Sequence, residues 1–143
     1  MKIESVAFSP NPKLSPLNSG EMYLAAPLNV YIQADGLRYR WAIPKGFITD
    51  LRSGFDFVKF VLPKWGEDNC QCALILLHDY LYCDLPDSTG KSEADDFLVD
   101  GLRWTGHPGW KCALVRAGLK LAGGSRFGKD KVRVWDEIKQ EVS

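Results

Sequence analysis

Short runs of β-branched and aromatic residues alternate with turn residues over the first 50 positions, a pattern typical of β-strands. Three strands are predicted, at residues 21–25, 29–34 and 37–43. Asp35-Gly36 separates the last two, and because this dipeptide readily adopts positive φ it predicts a tight hairpin. We therefore expect an antiparallel β meander over residues 1–50.

Residues 51–143 have a mainly helical pattern. Predicted helices cover 69–83, 92–104 and 110–121. The first is apolar nearly all the way round between Cys72 and Leu77, which indicates burial on several sides. The tail at 131–142 is predicted to form a strand and then a short helix. The expected fold class is α+β, with the meander followed by a bundle of about three helices in a single domain, 1–143.

Composition narrows the class of protein. Hydrophobic residues make up 45% of the 143 positions and charged residues 25%, an ordinary globular balance. The spacing of the four cysteines predicts buried free thiols rather than a disulfide framework. The longest aliphatic run is too short to span a bilayer, and the N-terminus lacks the pattern of a secretion signal. We expect no transmembrane segment and folding in the host cytoplasm, with or without later incorporation into a virion.

Charge is unevenly distributed although the formal net charge is zero. That balance argues against a dedicated, sequence-specific nucleic-acid binder. Acids dominate residues 79–100 and bases dominate 111–133, which indicates either two solvated faces that attract each other or a cation-binding site beside a basic surface. We predict weak, salt-sensitive contact with anionic lipid or nucleic acid through a basic cluster formed by Arg126, Lys129, Lys131 and Arg133.

The candidate chemistry begins at His78. A helix places His78 and Tyr82 on one face and rotates Asp79 by about 100°. His78 is therefore a candidate base, and Asp79 a candidate ligand for a divalent cation, calcium or zinc, together with Asp50 or loop carbonyls. The polar loop that contains Asp50 and Ser53 presents a binding segment or, alternatively, caps a helix that starts near residue 55.

Asp95 is the predicted partner of His78. It shares a helix face with Leu98 and Leu102, whereas Asp96 points toward water. A buried acid must be paired, and His78 or Tyr82 on the preceding helix is the nearest candidate. We expect the pair to open onto a cleft shared with Asp79 and Asp50, with the Trp104 ring close by. The alternative is a purely structural bond between two helices.

Three motifs in order resemble the domain of unknown function 1353 family of phages and prophages. They are Gly46-Phe47-x-x-Asp50-x-x-Ser53, His78-Asp79-x-x-Tyr82 and Ala94-Asp95-x-Phe97, and the resemblance covers roughly residues 30–110. It implies a phage or prophage origin and brings no established activity with it.

The HDxxY motif and the later Ala94-Asp95 also resemble the catalytic helices of secreted and parvoviral phospholipases A2. This resemblance implies that His78 activates water, Asp79 binds calcium, Asp95 orients the histidine and Tyr82 supports it. The chain has no glycine-rich calcium loop before His78, so a different metal or ester substrate stays open. Two functions are expected: a metal-assisted hydrolase of an ester or cell-envelope bond, or a non-enzymatic virion, tail or assembly component.

Overall fold

The structure is a computed structural model that describes residues 1–49, 61–63, 68–86, 89–122, 124 and 126–136. Within these ranges the strands are β1 (Ile3–Ser9), β2 (Leu14–Pro16), β3 (Met22–Leu24), β4 (Leu28–Ala34), β5 (Leu37–Ile43) and β6 (Ile48–Thr49). The helices are α1 (Asn69–Leu81), α2 (Lys91–Trp104) and α3 (Gly109–Ala122). The α+β class, with antiparallel strands before three helices, is confirmed.

The larger sheet has the order β1-β4-β5, with antiparallel neighbours. Its β4–β5 hairpin turns at Asp35 and Gly36, whose φ angles are 52° and 76°. Positive φ at both central residues is the geometry of a type I′ turn, so the predicted hairpin is confirmed. Along β4 every second side chain is buried, which gives this sheet one face that packs on the core.

A second, smaller sheet has the order β2-β3-β6. The strands therefore divide between two sheets. In the sequence, β2 and β3 lie between β1 and β4, which pair with each other in the larger sheet. The tail adds isolated bridges instead of the predicted strand: Val134 pairs with Phe47 and Lys131 with Asp84. The helix predicted after it lies outside the described residues, as does the candidate helix start near residue 55.

Helices α1 and α2 pack on the larger sheet, and α3 packs on α2. Asp68 caps α1 by accepting a hydrogen bond from the Gln71 backbone N–H at 3.0 Å. The ring of Phe97 on α2 meets Tyr39 and Trp41 of β5 edge-on, at centroid distances of 4.9 and 4.8 Å. Among the described helices, none has both the length and the hydropathy that a bilayer-spanning segment needs.

Gly101 sets the distance between α1 and α2. A Cβ at this position would lie 2.9 Å from the Cδ2 atom of Leu74, which is itself buried. We expect Gly101→Val to lower the unfolding free energy by about 1–3 kcal/mol because the core must shift to admit the extra atoms. Gly109→Val is the matched control, since nothing lies within 4 Å of its Cβ position. Equal urea midpoints for the two variants would contradict this assignment.

Candidate functional site

The site lies at the C-terminal end of α1. His78 occupies its last turn and Tyr82 is the C-cap residue, so the two side chains fall on the same face. Their ring centroids are 4.3 Å apart with an interplanar angle of 39°. The negative end of the helix dipole lies here.

Asp95 of α2 accepts hydrogen bonds from both of these side chains. His78 Nε2 lies 2.9 Å and Tyr82 Oη 2.6 Å from the same oxygen, Asp95 Oδ1. Asp96 points away from them and forms an ion pair with Arg116 of α3, whose Nη1 is 2.6 Å from Asp96 Oδ1. The predicted choice of Asp95 over Asp96 as the partner of His78 is confirmed, and it follows from helical phase.

Lys91 is a third donor to Asp95, and it was not among the predicted site residues. Its Nζ lies 2.8 Å from Asp95 Oδ2 and 3.1 Å from the Leu119 carbonyl oxygen of α3. The network therefore connects all three helices. The i,i+4 spacing of Lys91 and Asp95 is the signal that identifies such a pair in a helix.

The electrostatics of this network fix the role of each ring nitrogen. Burial alone would favour the neutral acid, yet hydrogen bonds from His78, Lys91 and Tyr82 outweigh it and hold the pKa of Asp95 below its usual value. An ionised carboxylate only accepts, so His78 donates from Nε2–H and its Nδ1 is the basic atom. The described residues supply no hydrogen-bond partner to Nδ1.

Acid should weaken the fold through Asp95. Because its folded pKa is lowered, the ionised form contributes stability that is fully present above about pH 4 and is lost as the pH falls through the folded pKa. We expect the difference in unfolding free energy between the wild type and Asp95→Asn to shrink on going from about pH 7 to about pH 3. Urea titrations at each pH measure it, and a difference that stays constant would rule out this linkage.

Asp79, the neighbour of His78, points to a different element. It accepts a hydrogen bond from the hydroxyl of Thr49, a buried residue at the end of β6. Asp50 and Ser53, the other predicted members of this part of the site, lie outside the described residues. Within the described ranges no group of three or more His, Cys, Asp or Glu side chains could hold a metal ion. The predicted cation site at Asp79 and Asp50 stays a prediction.

Two further observations restrict the chemistry. Burial, followed by the hydrogen bond to Asp95, raises the pKa of Tyr82, which keeps it a neutral donor. Burial also raises the pKa of Cys70 to about 11 and that of Cys83 to about 12, so both thiols stay protonated near neutral pH. The cysteines are free, as predicted, but only Cys72 and Cys112 are buried, whereas Cys70 and Cys83 are half-buried. The raised pKa of Cys70 and Cys83 makes these two poorly suited to act as nucleophiles.

The Trp104 ring was expected near His78, and this is wrong: Trp104 is 46% exposed and lies about 13.5 Å along the helix axis from Asp95.

In the basic cluster, Arg133 forms an ion pair with Glu21. Lys129 and Lys131 are exposed and Arg126 is half-buried. Binding of an anionic partner by this cluster stays a prediction.

A cavity of about 300 Å³ lies elsewhere on the chain. The rings of Tyr23 and Trp135 stack beside it at a centroid distance of 4.3 Å. Its lining consists of Tyr23, Leu24, Lys45, Gly46, Val134, Trp135 and Asp136. None of these is a predicted site residue.

Comparison with known proteins identifies the family. The family model described as a protein of unknown function, DUF1353, matches residues 22–118. The chain belongs to the DUF1353 family. The DUF1353 match includes His78, Tyr82, Lys91 and Asp95, whereas the basic cluster at 126–133 falls beyond it. No curated protein and no solved structure matches the chain.

Proposed function

We propose that this DUF1353 chain is a hydrolase of phage or prophage origin in which His78 activates a water molecule. The observation that carries the proposal is the double hydrogen bond at Asp95 Oδ1, from His78 Nε2 and Tyr82 Oη. It holds one tautomer and one orientation of the imidazole and turns Nδ1 into a positioned base. The resemblance of the HDxxY motif to phospholipases A2 supports an ester of a phospholipid as the first substrate to test.

In the proposed step, His78 and Asp95 carry out the proton transfers. Nδ1 of His78 takes a proton from water while the water oxygen forms a bond to the ester carbonyl carbon. Ionised Asp95 stabilises the resulting imidazolium without itself taking up the proton. When the ester C–O bond breaks, the imidazolium returns the proton to the leaving alkoxide. A divalent cation at Asp79 would polarise the carbonyl, so cation dependence is part of the test.

A substrate panel tests this function. It contains phosphatidylglycerol vesicles, a soluble carboxylic ester and purified cell-wall material, each with calcium, with zinc or with a chelator. Release of fatty acid, acid or wall fragments is the measurement. We expect hydrolysis of at least one ester substrate. A purified, folded chain that hydrolyses nothing in any of these conditions would overturn the proposal.

The second candidate is a non-enzymatic virion, tail or assembly component that uses the same network as a structural clamp. The observation that favours it is burial: the His78 and Asp95 side chains are only 11% and 7% exposed. Lys91 also neutralises Asp95 and ties it to the Leu119 carbonyl of α3. Under this alternative, substitutions in the network change stability and no catalytic rate.

A further inference from the structure

Helix α3 presents an apolar stripe on the side that faces away from the core. Trp110 is 64% exposed and Leu121 is 89% exposed, and Ala113 and Ala117 between them are exposed as well. At 100° per residue, these four positions fall within an arc of about 80°, over a length of about 16 Å. Cys112, Val115 and Leu119 are buried on the opposite side. A surface helix normally places charged residues where this stripe lies.

Cations flank the stripe. Lys120 is exposed, and Lys111 Nζ lies 5.5 Å from the centroid of the Trp110 ring. Residues 109–122 contain no Asp or Glu. Arg116, the remaining base of α3, is held by Asp96 and Asp100 of α2 and so belongs to the inner side of the helix. The outward surface of α3 is therefore apolar at its centre and positive at its edges.

The apolar centre and positive edges of this α3 surface favour one kind of binding partner. A second copy of the chain is disfavoured, because a pair of α3 helices would place four lysines around the contact and α3 has no Asp or Glu to pair with them. An anionic lipid surface complements the same pattern: tryptophan and leucine enter the interface while lysines contact the headgroups. We propose that α3 lies flat on anionic membranes through Trp110, Ala113, Ala117 and Leu121.

Vesicle co-sedimentation of the full chain tests the proposal. The two preparations are phosphatidylcholine alone and an equal mixture of phosphatidylcholine and phosphatidylglycerol. We expect the wild type to bind the mixture, and higher salt to weaken this binding. Trp110→Ser combined with Leu121→Ser should reduce partitioning into the mixed vesicles tenfold or more, since burial of these two side chains in the lipid supplies most of the affinity.

Two controls make the result specific. Leu37→Ser removes an apolar side chain of comparable exposure, 58%, from the β4–β5 hairpin and should leave partitioning unchanged. Lys111→Gln combined with Lys120→Gln keeps the apolar stripe and should weaken binding to the anionic mixture alone. The wild-type and variant far-ultraviolet circular dichroism spectra should coincide, because all the changed residues are at the surface.

Several results would overturn the proposal. These are equal partitioning of the wild type and the Trp110/Leu121 variant, equal partitioning of the wild type into both vesicle preparations, or no binding to either. A wild-type dimer that the Trp110/Leu121 substitutions dissociate, without vesicle binding, would instead assign the stripe to a second copy. The proposal does not depend on hydrolysis. His78→Asn should bind vesicles like the wild type, so failure of one proposal is distinguishable from failure of the other.

Discussion

Asp95→Ala should lower the unfolding free energy by about 3–5 kcal/mol, the cost of removing one partner from a buried charged network. The variant leaves His78, Tyr82 and Lys91 without their shared acceptor. Asp95→Asn retains one carbonyl oxygen for two of these donors but places an amide near the Lys91 ammonium, and we expect about 1–3 kcal/mol. Urea unfolding at neutral pH measures both values.

Asp96→Ala is the matched control for this prediction. It removes a carboxylate one position away on the same helix, but one that pairs with Arg116 at a half-exposed site. We expect a loss of about 1 kcal/mol or less, the range for exposed ion pairs. A larger loss for Asp96→Ala than for Asp95→Ala would show that the network at His78 does not hold α1 and α2 together.

His78→Asn should reduce hydrolysis of the ester substrate by about 10²–10⁴-fold, the range that a positioned general base contributes. Asparagine is polar but smaller than histidine, and its amide does not extend to the Nε2 position that contacts Asp95, so some loss of stability is expected beside the loss of rate. Initial rates of fatty-acid release, compared at a temperature where both proteins are folded by circular dichroism, are the measurement. Tyr80→Phe is the control, because Tyr80 is on the same helix and its ring packs on Phe47 instead.

The outcome separates the two candidate functions. Loss of rate in a variant that remains folded supports His78 as the base. A variant that is destabilised but hydrolyses at the wild-type rate would contradict the hydrolase proposal and leave the structural clamp. Tyr82→Phe provides an intermediate case: it removes one of the two bonds to Asp95 Oδ1, so the imidazole is held less firmly, and we expect a smaller fall in rate than for His78→Asn.

Local periodicity explains which features the sequence could predict. The helical phase that puts Asp95 with Leu98 and Leu102 also turns Asp95 toward α1, and the structure has it there. The Asp35-Gly36 hairpin was predictable for the same reason, because the turn chemistry lies within two residues. Features of this kind depend on neighbours in the chain, which the sequence displays directly.

The features that the sequence could not predict depend on contacts between segments that are far apart in the chain. Thr49 donates a hydrogen bond to Asp79 from a strand 30 residues earlier, and no local sequence pattern predicts this contact. The pairing of β1 with β4 likewise bypasses the two strands between them. The Trp104 prediction failed because it used only the fact that both residues are on the same helix: nine residues separate Trp104 from Asp95, which places them far apart along the axis and on opposite faces of the helix.

The protonation state of His78 tests the central claim most directly. Nitrogen-15 NMR of the imidazole at neutral to mildly alkaline pH distinguishes a ring with its proton on Nε2 from one with its proton on Nδ1. The structure predicts the proton on Nε2, donated to Asp95, with Nδ1 bare and able to accept a proton from water. A neutral ring that carries its proton on Nδ1 would contradict the account, because Asp95 would then not orient His78 as a base.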